Sequence, residues 1–182
     1  VHAACSKGMA IELRPWSISP SHFFWNAEPC RAIAAALIGA EQDDVAFVPG
    51  ASYGIAIAAK NIRLKAGQKI LVPAGQHTAN TYSWQKAAAH SNATVQIVAA
   101  PVDGDWTAAV LEAITEETAV AALPPYHSSD GRRFDLVEIG AALRRIGAAL
   151  VVDATHSIGA RNLTVQELSL IHISEPTRLG MI

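Results

Sequence analysis

The chain has 182 residues, 51% of them apolar and 16% charged, with 14 basic against 16 acidic side chains and a formal net charge of −2. That supplies one sizeable core, and the balanced charge without a basic block argues against a nucleic-acid surface. No apolar run approaches the ~18 residues that cross a bilayer, and Cys5 and Cys30 show neither metal-ligand spacing nor a disulfide framework.

The first residue is Val1 rather than Met, and residues 1–27 read as an N-terminal segment of a chain expected to begin inside a longer gene product. The opening "VHAACSKGMAIELRPW" lacks the order of a signal peptide, so a cytoplasmic location is the default expectation. From residue 28, helix and strand patterns alternate. "EPCRAIAAALIG" has Pro29 in its first turn, Cys30, Ile33 and Leu37 along one side, and Gly39 as a stop. "VAFVPG" reads as a short strand, "SYGIAIAAKNI" as a helix and "KILVP" as a second strand. "TANTYSWQKAAAH" is expected to be helical and "TVQIVAAP", rich in β-branched residues, to be a strand. "TAAVLEAI" is a short helix with Thr107 as its expected N-cap, and "TAVAALP" a strand apolar on both faces. "DLVEIGAALRRIG" is the clearest helix: Asp135 caps it, Leu136, Ile139, Leu143 and Ile146 line one side, and Gly147 ends it. "AALVVD" returns to the sheet. The last stretch differs in kind, because "LSLIHISEPTR", Leu168 to Arg178, resembles the conceptual translation of a transposase-type sequencing adapter. Residues 168–182 are therefore expected to be non-native, and residues 28–167 to be the native domain.

This alternation predicts an α/β domain with a mostly parallel sheet and helices on both faces. In such sheets ligands bind beyond the carboxyl ends of the strands, and three stretches fall there. In "VPGASYG" a turn feeds a helix whose first amides, near Ala51 and Ser52, would face an anion such as phosphate. The stretch is neither G-x-G-x-x-G nor a Walker loop. In "PAGQHTANTYSW", His77 follows a strand and could stack on a flat ring, move a proton, or simply bond to the backbone. In "LVVDATHSIGA", Asp153 ends an apolar strand, where a desolvated carboxylate needs a partner. That partner is either a structural donor or a cationic ligand atom, for which a protonated pyridine nitrogen is well suited.

A phosphate cradle, a stackable imidazole and an acid for a ring nitrogen together describe pyridoxal 5'-phosphate. From about Glu28 to Glu167 the sequence resembles the class V aminotransferase family of fold type I, which includes cysteine desulfurases and isopenicillin N epimerase-like enzymes. The likeness is strongest in "DDVAFVPGASYGIAIAAKNI", "QHTANTYSWQ" and "RRIGAALVVDATHSIGA". It implies an incomplete large domain of a pyridoxal-phosphate-dependent transferase. Ala51 and Ser52 would hold the cofactor phosphate, His77 would stack on the ring, and Asp153 would pair with the ring nitrogen. His156 stands where the family usually has Gln facing the phenolic oxygen, and Ser128 in "YHSSDG" stands near a position that often carries Asn. Family members carry a Schiff-base lysine about two dozen residues beyond the strand-end acid, yet no lysine follows Lys86. No catalytic residue is therefore assigned within this chain, which is expected to be an inactive fragment of a homodimeric parent acting on an amino acid. The competing expectation is a non-catalytic α/β module that binds a nucleotide or phosphorylated metabolite. It accounts for the missing lysine but leaves Asp153 beside a negative ligand.

Overall fold

The computed structural model describes residues 2–23, 25, 27–160 and 164–168. Within them, seven α-helices and four strands run in the order α1 (His2–Glu12), α2 (Ala27–Ile38), α3 (Ala51–Asn61), β1 (Lys69–Pro73), α4 (Thr78–Ser91), β2 (Thr94–Val98), α5 (Trp106–Ala113), β3 (Thr118–Leu123), α6 (Leu136–Arg145), β4 (Ala149–Val152) and α7 (Val165–Leu168). Every strand pairing is parallel and the sheet order is β2-β1-β3-β4.

Each strand alternates its side chains between two apolar layers, the arrangement a parallel sheet covered on both faces requires. Ile70, Val72, Val120 and Ala122 point to one layer, shared with Ile55 and Ala58 of α3 and Trp84 and Ala88 of α4. Leu71, Ala121, Leu123 and Leu150 point to the other, filled by Trp106 and Val110 of α5 and by Leu136, Ile139 and Leu143 of α6. The expected mostly parallel α/β architecture is therefore the observed one. Among the described residues, no helix is long and apolar enough to cross a membrane.

The α6 helix follows its sequence pattern closely. Asp135 Oδ1 accepts from the Glu138 amide at 3.2 Å, and Gly147, at φ +70°, occupies the left-handed conformation that ends the helix without a Cβ penalty.

Three local expectations are corrected. Residues 45–48 form no strand. They follow a short 3₁₀ turn over Gln42–Asp44 and are held by Arg31 of α2, whose Nε donates to the Val45 carbonyl at 2.8 Å and whose NH2 donates to the Gln42 carbonyl at 2.8 Å. A carbonyl taken by a guanidinium is lost to a ladder. The α5 helix is capped by Asp105, not Thr107: Asp105 Oδ1 accepts from the Ala108 amide at 3.0 Å, while the Thr107 hydroxyl accepts from the Asp135 amide at 2.9 Å and so ties α5 to the start of α6. The α2 helix buries Ala35 and Ile38, whereas Ile33 and Leu37 are exposed. Spacing locates an apolar stripe but not the surface that covers it.

Leu168, the first residue of the adapter-like stretch, is buried against the α5/α6 layer, and residues 169–182 lie outside the described residues. The Leu168 carbonyl sits where a β-carbon on Gly140 would come within 2.9 Å. Gly→Ala in a helix ordinarily stabilises by ~0.4–1 kcal/mol. Here the backbone clash outweighs that gain, and Gly140→Ala is expected to lower stability by about 1–3 kcal/mol, read from the urea midpoint. A raised midpoint would show that α7 does not dock on α6.

Candidate functional site

The chain leaves β1 for β2 on one side and returns to β3 on the other, so the strand order reverses between β1 and β3. Loops at the carboxyl ends of β1, β3 and β4 diverge there, and the N-terminus of α3 completes the rim. Together they enclose a cavity of about 260 Å³. All five residues singled out from the sequence, Ala51, Ser52, His77, Asp153 and His156, line it.

The α3 helix begins at Ala51 with Gly50 in the N-cap position, which supplies no side-chain cap. The Tyr53 and Gly54 amides return to the Gly50 carbonyl at 3.0 and 3.3 Å, leaving the amides of Ala51 and Ser52 without a backbone acceptor among the described residues. Uncapped first-turn amides carry the positive end of the helix dipole and favour an anion by ~0.3–1 kcal/mol at an exposed site.

His77 is itself the N-cap of α4, its Nδ1 accepting from the Ala79 amide at 3.4 Å. That donor assigns the neutral ring as the Nε2–H tautomer. The His77 amide donates to Gln76 Oε1 at 2.8 Å and its carbonyl accepts from the Asn80 amide at 3.0 Å, so the loop after β1 is fixed on both sides of the imidazole. Asn80 is in turn buried, taking a 3.2 Å bond from Trp84 Nε1.

Asp153 is half-buried at the end of β4, its amide donating to the Leu123 carbonyl of β3 at 3.0 Å. Oδ1 accepts from the Thr155 amide at 3.2 Å and from the Thr155 hydroxyl at 2.5 Å, while Oδ2 has no protein donor among the described residues. One oxygen is thus anchored and the other left for a ligand. His156 follows in the exposed turn.

The cavity also takes Gln76, Tyr126 and Ser128, and Thr155, which were not among the five. Thr155 carries a readable signal, because Asp followed two residues later by Thr forms a local side-chain-to-backbone turn. Pro124 and Pro125 belong to the wall after β3 and carry no polar group that a search for chemistry would pick out. Among the described residues, no cluster of three His, Cys, Asp or Glu side chains could hold a metal ion.

A parallel sheet covered on both faces, with a cavity where its strand order reverses, defines a doubly covered α/β fold. The aminotransferase class-V family profile matches residues 20–174, and the chain belongs to that family. Curated relatives include an uncharacterized aminotransferase, YcbU, of Bacillus subtilis, 31% identical over 145 residues that make up 79% of this chain and 38% of the relative. A probable cysteine desulfurase of Pyrococcus abyssi is 26% identical over 143 residues, 78% of this chain and 36% of the relative. The chain thus spans well under half the length of these relatives. The same fold occurs in the Escherichia coli cysteine desulfurase CsdA, at TM-score 0.71 and 23% identity over 77% of this chain and 36% of that one. It occurs again in a C-DES mutant with glycine covalently linked to its pyridoxal-phosphate cofactor, at TM-score 0.79 and 20% identity over 92% of this chain and 46% of that one.

Inorganic phosphate is expected to shift the NMR amide signals of Ala51 and Ser52 before any others. Unmoved signals at saturating phosphate would remove the anion site from the α3 terminus.

Proposed function

We propose that residues 28–167 form the cofactor-binding part of a pyridoxal 5'-phosphate enzyme acting on an amino acid. The observation that carries this reading is the Asp153 carboxylate: Oδ1 is engaged by Thr155, and Oδ2 is uncommitted in the same cavity as an uncapped helix terminus and an imidazole. The donor set fits the group. First-turn amides at Ala51 and Ser52, with the Ser52 hydroxyl, match a phosphate. His77 matches the face of an aromatic ring, and Asp153 matches a protonated ring nitrogen.

When bound, the cofactor supplies an electron sink for chemistry at an amino-acid α-carbon. The roles of this chain's own residues follow from their positions. The α3 terminus would hold the phosphate. His77, oriented by the Ala79 amide, covers one face of the ring and excludes water from it. Asp153, oriented by Thr155, keeps the proton on the ring nitrogen. His156 offers a ring nitrogen to the phenolic oxygen in place of the Gln of the family pattern. Transamination, desulfuration, elimination and epimerisation share these parts, so the class of substrate is proposed and the outcome at the α-carbon is left open. A homodimer is proposed by the same likeness, with exposed Ile33 and Leu37 of α2 as apolar surface for a second copy.

Since no lysine follows Lys86, the chain offers no amine beyond the β4 acid for a covalent link, and the bond to the cofactor is proposed to be noncovalent here. A nucleotide-binding module accommodates the missing lysine, but it would set a second negative charge against Asp153.

Titration of the chain with pyridoxal 5'-phosphate, followed by absorbance, is expected to show saturable weak binding. Asp153→Ala should weaken it about tenfold or more, equivalent to ~1.4 kcal/mol. Borohydride should leave no cofactor attached. Reductive fixation on Lys60 or Lys86, or saturable binding of a nucleotide without pyridoxal phosphate, would overturn the reading.

A further inference from the structure

The turn after β4 carries one cavity wall, and two others are carried by the loop after β1, residues 74–77, and the loop after β3, residues 124–131. One side chain outside the cavity joins them. His127 is only 5% exposed, and its Nε2 lies 2.8 Å from the Ala74 carbonyl, which can only accept. Nε2 therefore carries a proton. Nδ1 is buried without an aligned hydrogen-bond partner, and the charged group facing it is Asp130 Oδ1 at 3.3 Å. The ring thus meets a backbone carbonyl of one loop through Nε2 and a carboxylate of its own loop through Nδ1.

The surroundings hold the ring in place. Trp106, at the start of α5, stacks on the imidazole with centroids 4.5 Å apart and planes 24° apart, which fixes the ring plane. The Gly75 backbone approaches so closely that a β-carbon there would stand 3.5 Å from His127 Cε1. Asp130 is itself held in place, with Oδ2 accepting from Trp106 Nε1 at 3.1 Å and Oδ1 from the Arg132 amide at 2.9 Å. The Arg132 amide first, then the Trp106 and His127 contacts and the Arg132 charge, hold the Asp130 carboxyl below its usual range against the opposing effect of burial. The loop after β1, the start of α5 and the loop after β3 thus all converge on one imidazole.

We propose that His127 is a positioning residue which, through its Nε2–H bond to Ala74 and its contact with Asp130, clamps the loop after β1 to the loop after β3 and so sets the spacing of His77 against Ser128 across the cavity. It touches no ligand. Its relevance to the cofactor rests on the function proposed above, whereas the clamp itself does not. Loops that each carry one wall hold a ligand-competent geometry only if something fixes their separation, and an ångström of slack is costly at such sites.

The test uses the ¹⁵N-labelled full chain. NMR of the imidazole nitrogens should find the His127 Nε2 proton hydrogen-bonded to the Ala74 carbonyl. An Nε2 without a proton overturns the clamp. His127→Phe keeps the stack on Trp106 and loses both polar contacts. It should speed hydrogen exchange of the Ala74 and Gly131 amides about tenfold and weaken pyridoxal 5'-phosphate binding about tenfold, and Asp130→Asn should move both in the same direction. The comparison variant is Glu117→Gln at the opposite end of the sheet, where the Thr115 hydroxyl, the residue's own backbone and Lys69 hold the native carboxyl below its usual range. It should leave both readouts unchanged. Exchange and affinity equal to wild type in His127→Phe and Asp130→Asn refute the clamp. If the wild-type chain fails to bind pyridoxal 5'-phosphate, the cofactor reading fails, while the nitrogen and exchange measurements still decide the clamp.

Discussion

The structure depends on a sheet whose two central strands have no exposed face. Ile70, Leu71, Val72, Val120, Ala121, Ala122 and Leu123 are fully buried, so β1 and β3 must be covered above and below by helices. Covering both faces forces each strand to be followed by a crossover, and every crossover leaves from the same edge. The loops that leave that edge are free to carry polar groups together. Hence the carboxylate after β4, the imidazole after β1 and the wall after β3 meet in one cavity although they are far apart in sequence.

Much of this was readable in the residues, for a physical reason. Patterns that depend on a residue's own neighbours were found where expected: the Asp135 cap and Gly147 stop of α6, the apolar runs of β1 and β3, and the acid ending β4. Patterns that depend on a distant partner were not. The apolar run at residues 45–48 has strand composition, but a strand exists only where a neighbour accepts its ladder, and Arg31 takes that carbonyl instead. Ile33 and Leu37 form a stripe, yet the helix turns Ala35 and Ile38 inward. Asp105 displaces Thr107 as cap because the threonine hydroxyl is engaged by the Asp135 amide of another element.

The same division holds at the site. Helix-start amides, a post-strand histidine and a strand-end acid can each be located from local sequence, because sheet topology assigns them to one edge. The groups that hold them in place were harder to see. Thr155 lies two residues from the acid it orients and leaves a local signature. His127 does not, since its partners Ala74 and Trp106 are contributed by another loop and by a helix, and a histidine among serines after a strand looks like any surface residue. Family membership adds the fold and the pattern, but the chain covers well under half the length of its relatives, so chemistry assigned to whole enzymes enters only through the residues present.

The anchoring of Asp153 by Thr155 has a bearing on what the cavity refuses. With Oδ1 tied to its neighbour, the carboxylate cannot swing away from an unsuitable guest. A flat ring that offers carbon where Oδ2 points would strip water from that oxygen and return nothing, a penalty of ~1–3 kcal/mol or more for a charged group. On the proposed cofactor reading, discrimination at this position would work by exclusion: a carbocyclic look-alike would be turned away by a rigid, thirsty oxygen rather than outcompeted by a better fit.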